Sequence, residues 1–467
     1  MNTSTGSVRA RLVDATEGRV VVGTAVVLAS VLFLPVPVWL IVLVAAMTSR
    51  PHDDMRSMAD PHLSRPTLGR WILVSLVFVG SVMLAMLGKP LTGHGAQLLI
   101  WFALLPAIGV LFWLQRRRAH TIGALWVGAT AAAAIAGLTA VVQVGVVGDP
   151  RATGITANSI TFGNLAVVFG VVSVSLYRLI DLPRRMTLPA ALGAGALALT
   201  ASILSGSRGG WVAVPALIAL LLWQEREELT PRRLARVAIG LACVLVFANT
   251  VSDGMPTSRA SASVTNVSGY RPKAPQSESA GSSEGARIEA WRSSAEAFNE
   301  QPVTGLGWGN LATHFDGDVA RGLRHERIAT FDHAHNQLLG AAANGGLIGV
   351  GALIALFAVP AAAFVRAIRG TDRRRQTLGI TGISVLGAYA IFGLTESVLE
   401  NLTPVVVLAV LVAALCAELD RSASGSAGPY ATEVADPRFV RRTDLDRHRR
   451  PVGPLAHRWT PPFRPLF

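Results

Sequence analysis

Twelve apolar runs govern what this chain can become. They fall at 20–34, 36–47, 71–87, 96–114, 121–147, 159–180, 187–204, 210–223, 234–250, 337–365, 377–399 and 402–417. A helix that crosses the hydrocarbon core of a bilayer needs about 20 residues. In lipid every backbone polar group must be satisfied within its own segment, which leaves helices as the fold for such runs. Composition agrees: 15% of residues are charged, against about 25% in soluble domains. The expected fold class is all-α, a polytopic transmembrane helix bundle of about 12 spans. The first two runs are short, and Pro35 and Pro37 between them favour a hairpin over one long helix. The run at 210–223 is also short and reads as a shallow or re-entrant helix. Cys243 and Cys416 both lie in apolar runs, which excludes a disulfide framework and a cysteine zinc site.

The formal charge of +13 would suggest nucleic acid in a soluble protein. Here its distribution points to topology instead, and no nucleic-acid partner is expected. With a cytoplasmic N-terminus, the segments 1–19, 48–70, 115–120, 177–187, 224–236 and 366–376 face the cytoplasm and carry 22 basic residues. The short outer loops carry Lys89, Arg151 and Arg208. That asymmetry satisfies the positive-inside rule. The chain therefore divides into a cytoplasmic N-terminus (1–19), spans one to nine (20–250), a large extracytoplasmic loop (251–335), spans ten to twelve (336–417) and a basic, disordered cytoplasmic tail (418–467). The loop begins rich in Ser, Gly and Pro. It continues as "ARIEAWRSSAEAFNE", where Ile288, Trp291, Ala295 and Phe298 share one helical face. The spacing predicts a short amphipathic helix on the membrane surface or capping the bundle.

This topology brings unusual polar groups to the outer side. Arg208 lies in "LSGSRGGWVA", Arg287 opens the amphipathic segment, and Asp332, His333, His335 and Asn336 stand at the mouth of the tenth run. Ionisable groups at membrane depth are costly and mark function by default. Each also has a plainer reading: a snorkelling arginine, a surface charge, an interfacial cap. Asp332 is a good N-cap, which would put His335 in the first helical turn. There the positive end of the helix dipole disfavours imidazolium and leaves a neutral base. His333 and His335, two apart on a helix, would point about 200° from each other and could not chelate one ion as an i,i+4 pair does. No metal site and no cofactor is expected. Two arginines beside one base suit glycosyl transfer from a lipid diphosphate, since arginine's fork binds phosphate while a base takes a hydroxyl proton. A transporter or flippase of the same lipid fits these residues equally well.

Four stretches resemble the O-antigen ligase/polymerase superfamily of bacterial membrane glycosyltransferases. "HNQLLGAAANGGLIG" is similar to its His-Asn motif, with Gly346 and Gly349 following. "SGSRGGWVA", "ARIEAWRSSAEAFNEQPVTGLGWGN" and "DPRATGITANSITFGNLA" resemble three further motifs, in the family's order. The resemblance covers roughly 20–417. It implies a metal-independent transferase at the outer face of the bacterial cytoplasmic membrane; the charge asymmetry puts both termini on the cytoplasmic side. The donor would be an undecaprenyl-diphosphate-linked glycan, the acceptor a glycan, lipid or protein, and membrane lipids the surroundings. His335 would be the base, with Arg208 and Arg287 gripping the diphosphate. Arg151, Asn336 and Glu396 would bind substrate, Glu396 from near the outer end of the eleventh span. The resemblance gives His333 no role. A flippase or exporter is the alternative, and ligase and polymerase types are not separated.

Overall fold

The computed structural model describes residues 66–114, 121–156, 158–252, 261, 264–271 and 277–425. The expected spans at 20–34 and 36–47 lie outside the described residues, as does most of the tail. Every other apolar run is a helix, and no strand occurs among the described residues. In chain order these helices are α1 (Thr67–Met86), α2 (Gly93–Leu114), α3 (Thr121–Val141), α4 (Ser159–Leu176), α5 (Arg184–Ser205), α6 (Arg208–Gln224) and α7 (Pro231–Val251). The two longest helices of the large loop follow, α8 (Ser283–Glu300) and α9 (Leu311–Ala320). The set closes with α10 (Gln337–Arg369), α11 (Arg373–Phe392) and α12 (Leu402–Gly425).

Eight of the described helices are long and apolar enough to cross a membrane. α6 falls short of that length, and α11 begins with three consecutive arginines. Both differences trace to the sequence already noted, a short run and a basic loop. The buried centre is α4 and α12, each with 89% of its apolar window inside the protein. α4 packs on α5, α3, α11 and α6, whereas α7 touches mainly α5 and buries 6% of its window. The helix ends are specified locally. Asn158, Asp372 and Ser282 accept backbone N–H bonds at the starts of α4, α11 and α8, the groups a helix leaves unpaired. Gly206, at φ 66°, ends α5. The start of α1 is capped from 352 residues away, where Asp420 accepts from Thr67 N at 2.7 Å and Leu68 N at 3.0 Å. α12 thus continues past residue 417, the expected end of the span, to Gly425.

Three local readings change. The amphipathic helix forms as α8, but its buried residues are Gly285, Ala286, Glu289, Ala290, Ser293, Ser294 and Ala297, not the Ile288–Trp291–Ala295–Phe298 face. Small residues let α8 approach α10 closely, so it caps the bundle. The eleventh helix stops at Phe392. Residues 393–401 are a loop with one 3-10 turn, Val398–Glu400, so Glu396 stands outside the helix. α10, finally, is broken at Gly346 (φ 60°, ψ −155°).

The segment 302–307 fills that break. Leu306 N and Gly307 N donate to the carbonyls of Ala343 and Asn344 at 2.8 and 2.9 Å, and Leu347 N donates to Pro302 O at 2.8 Å. The backbone groups freed by the kink are thereby satisfied. A Cβ on Gly346 would stand 2.3 Å from the Val303 carbonyl carbon. Gly346→Ala should therefore destabilise the protein by about 2–5 kcal/mol, from backbone strain and overpacking together. Gly351, on the same helix with open space beside it, should tolerate alanine. Unfolding of both variants in detergent checks this.

Candidate active site

The mouth of α10 is built by its own sequence. Asn336, not Asp332, is the N-cap: its Oδ1 accepts from Leu338 N and Leu339 N, both at 3.0 Å. Its amide donates to Leu394 O at 3.0 Å, and Gln337 N donates to Gly393 O at 2.7 Å. These bonds fasten the helix start to the loop that carries Glu396. His335 precedes the cap and takes a left-handed backbone, φ 52°, the sole non-glycine with positive φ among the described residues. Such a conformation is costly outside glycine and concentrates at functional sites.

His335 is therefore not in the first turn, and the helical argument against a paired HAH does not apply. The His333 and His335 rings lie 4.2 Å apart, centroid to centroid. Both meet Glu396: His333 Nε2 is 2.7 Å from Oε1, and His335 Nδ1 is 3.1 Å from Oε2. Arg287 Nη2 stands 3.7 Å from the same Oε2. The second nitrogen of His333 bonds Asp332. Phe331 packs edge-on to the His335 ring at 4.5 Å, and Trp291 of α8 donates to the His335 carbonyl at 3.4 Å. Glu396 is 3% exposed, so its charge needs these partners.

The partners sort the charges. Burial would lower the His333 pKa, but hydrogen bonds to Asp332 and Glu396 carry it up to about 10. His333 is a cation at neutral pH. The His333 bond also holds Asp332 at about 2. For Glu396, burial opposes ionisation, yet bonds to both histidines hold its pKa well below the usual carboxylate range. The pKa of His335 is lowered, first by burial, with His333 and Arg287 pushing the same way and Glu396 opposing. A neutral imidazole beside a fixed cation results. The expectation of a neutral His335 agrees in direction, for reasons other than a first-turn dipole.

Arg208 is the first residue of α6, and its backbone lies close to this loop. A Cβ on the adjacent Gly209 would be 3.0 Å from Thr395 Oγ1, one residue before Glu396. Arg151 Nε donates to Ser205 O at 2.8 Å, and Ala152 N to Leu204 O at 3.0 Å, on the turn that leads into Arg208. Ser207 Oγ donates to Asn164 Oδ1 at 2.7 Å beneath that turn. The structure thus joins His335, Arg287, Asn336 and Glu396 directly, and brings the Arg151–Arg208 turn against the same loop.

Sequence reasoning gave no role to three neighbours. His333 is central to the cluster. Glu400, 5% exposed, lies 3.9 Å from His94 Nε2 at the start of α2. Neither Glu400 oxygen has a hydrogen-bond partner among the described residues. The available signal was "TESVLEN", two carboxylates four residues apart at a membrane mouth. Ligand atoms of His333, His335 and Glu396 lie within 4.8 Å of one another, an arrangement that can hold a metal ion.

Comparison with known proteins adds family information. Residues 193–354 match the family model described as O-antigen ligase. The matched segment contains Arg208, Arg287, His333, His335, Asn336 and the kink glycine Gly346; Arg151 and Glu396 lie outside it. Over 209 residues the chain is 24% identical to an uncharacterized protein of Haemophilus influenzae, covering 44% of this chain and 50% of that one. The chain thus spans about half the length of the curated relative it matches.

Proposed function

We propose that this multi-pass membrane protein, a member of the O-antigen ligase/polymerase superfamily by its 193–354 segment, is a metal-independent glycosyltransferase. In this reading it moves a glycan from undecaprenyl diphosphate to an acceptor hydroxyl at the outer face of the bacterial cytoplasmic membrane. The observation that carries the reading is the shared carboxylate. Glu396 Oε2 touches the base, His335, at 3.1 Å and the cation, Arg287, at 3.7 Å.

The chemistry follows from that pairing. Glu396 engages His335 Nδ1, which fixes the tautomer with Nε2 as proton acceptor, as a buried carboxylate does for the histidine of a hydrolase triad. The acceptor hydroxyl gives its proton to Nε2 as its oxygen bonds to the anomeric carbon. The bond from that carbon to the diphosphate oxygen breaks, and the diphosphate leaves with the electron pair. Arg287 and Arg208 bear the growing negative charge. The positive end of the α6 dipole, which begins at Arg208, favours an anion at the same place. Arg287 is held by Glu396 at rest, so the incoming diphosphate competes for it. Arg151 and Asn336 position the two loops.

In this reading His335 serves as base and His333 as cation, although His333, His335 and Glu396 offer ligand atoms within 4.8 Å of one another that could hold a metal instead. EDTA should leave transfer unchanged. Loss of activity restored by one divalent ion would assign these three residues as its ligands. The sidedness has its own check. With both termini cytoplasmic and the large loop external, a cysteine placed at Ser279 should react with an impermeant thiol reagent in intact cells. Labelling only after lysis would put His335 and the arginines on the wrong face for a lipid-linked donor.

A further inference from the structure

The end of the bundle opposite the histidine cluster carries a second set of arginines. α4 runs from the Asn158 end, beside the Arg208 turn, to Tyr177. α11 runs from Arg373 toward Glu396. At that far end a cavity of about 350 Å³ is lined by Arg178, Arg184, Arg373 and Arg374, with Glu228 as its acidic residue. Each of the four is paired with a carboxylate: Arg178 and Arg184 with Glu228, Arg178 also with Glu225, Arg373 with Glu227 and Arg374 with Glu418 at 3.2 Å. The arginines are deliberately held. Tyr177 Oη accepts from Arg178 Nε at 3.1 Å and Arg184 Nη2 at 3.2 Å, and both guanidiniums lie 5.9 Å from its ring. Bringing two such cations onto one phenol is unfavourable unless anions face them. Glu228 supplies part of this, 2.7 Å from Arg178 and 2.8 Å from Arg184. Arg373 pairs with Glu227 where both are largely exposed, a contact that stabilises little and yields readily to a stronger acceptor.

A second cavity identifies what kind of anion fits. It measures about 390 Å³, lies between α4, α5, α6 and α7, and is walled by aliphatic and small residues such as Val171, Gly195, Leu217 and Gly240. It ends at Glu225, and Glu225 is the carboxylate that pairs with Arg178. An arginine-lined cavity and an apolar groove therefore meet at one ion pair. Leu179 and Leu182 carry the apolar wall into the charged cavity. A soluble anion has no use for the groove, and a hydrocarbon chain has none for the arginines.

We propose that this end of the bundle binds an anionic phospholipid, with its phosphate on Arg178, Arg184, Arg373 and Arg374 and one acyl chain in the groove between α5 and α7. Arginine forks suit phosphate oxygens bidentately, and basic pockets between spanning helices take anionic head groups.

Native mass spectrometry of delipidated protein in non-ionic detergent tests this. The probes are phosphatidylglycerol, phosphatidylcholine and glycerol 3-phosphate. Phosphatidylglycerol should be retained about fivefold or more over phosphatidylcholine, and glycerol 3-phosphate not at all. Arg184→Gln with Arg373→Gln should lower phosphatidylglycerol retention about fivefold or more. Arg366→Gln with Arg369→Gln, on α10 and outside the cavity lining, should not. Gly240→Leu, which fills the groove from a position with no neighbour within 4 Å of its Cβ, should lower retention while leaving the arginines in place. Should the arginine variant fail to fold, the Gly240→Leu protein and the two-lipid comparison decide. Equal retention of the two lipids, or of phosphatidylglycerol by wild type and both variants, would overturn the proposal. Retention of glycerol 3-phosphate as strong as that of the lipid would assign the cavity to a soluble anion instead.

Discussion

A purified His335→Ala protein should turn over roughly 10²–10⁴ times more slowly than wild type, the range that a positioned general base supplies. Its affinity for the lipid-diphosphate donor should barely move, because that grip belongs to the arginines. Arg208→Lys and Arg287→Lys should weaken donor binding and turnover together. Lysine keeps the charge but loses the two-pronged geometry, and the leaving diphosphate gains charge as the bond breaks. In wild type, kcat/KM should fall as pH drops, with an apparent pKa below the 6.5 ordinary for histidine, because burial and the neighbouring cations lower that of His335. Turnover of His335→Ala within threefold of wild type would reduce the imidazole to a polar lip on a membrane helix.

Glu396→Gln should cost about 10²-fold or more in turnover, since removing the carboxylate that orients a catalytic histidine has cost up to about 10⁴-fold in a hydrolase triad. The amide still fills the space, so a loss would report charge and tautomer, not a cavity. The same change has a signature in stability. The folded-state pKa of His333 is raised to about 10, so its contribution is complete below the unfolded-state value of about 6.5 and is lost as pH rises through 10. The folded-state pKa of Glu396 is depressed, so its contribution is present above the ordinary carboxylate value and lost as pH falls. Wild-type unfolding temperature in detergent should therefore decline on both sides of neutrality. Glu396→Gln should flatten both limbs. A variant whose pH profile of stability matched wild type would show that the carboxylate is not the anchor of the two imidazoles.

The membrane helices were legible because lipid leaves a chain so few choices. An apolar run of the right length has no other fold, and each described run became a helix. What the runs could not show is where backbone stops being helical inside or beside them. The kink at Gly346 depends on carbonyls and N–H groups offered by residues 302–307, some 40 positions earlier, and no local pattern encodes that partnership. The eleventh run is apolar through residue 399, yet the helix ends at Phe392, because the Gly393 carbonyl is claimed by Gln337 and the Leu394 carbonyl by Asn336. Reading the helix onward hid Glu396 near a helix end, when it stands at the centre of the site.

The histidines illustrate the same limit. His335 and Arg287 stood out as ionisable groups beside apolar runs. His333 stood out with them but was given no role, since the family motif begins at His335 and an assumed helix turned the two rings apart. A single left-handed residue reverses that, and φ at His335 is fixed by Asn336 capping α10 and by Glu396 across the loop, not by histidine's own preference. The buried face of α8 was missed for a related reason. Hydrophobic periodicity selects the large side chains, while close packing against α10 selects the small ones.

The central claim is transfer itself, and detergent solution tests it most directly because no second compartment exists there for a transporter to serve. Purified protein given an undecaprenyl-diphosphate-linked glycan and a hydroxyl-bearing acceptor should release undecaprenyl diphosphate and glycosylated acceptor in equal amounts, in the presence of EDTA, with His335→Ala nearly silent. No product in detergent, together with movement of the same lipid-linked glycan across vesicles by the same preparation, would contradict the transferase and establish a flippase.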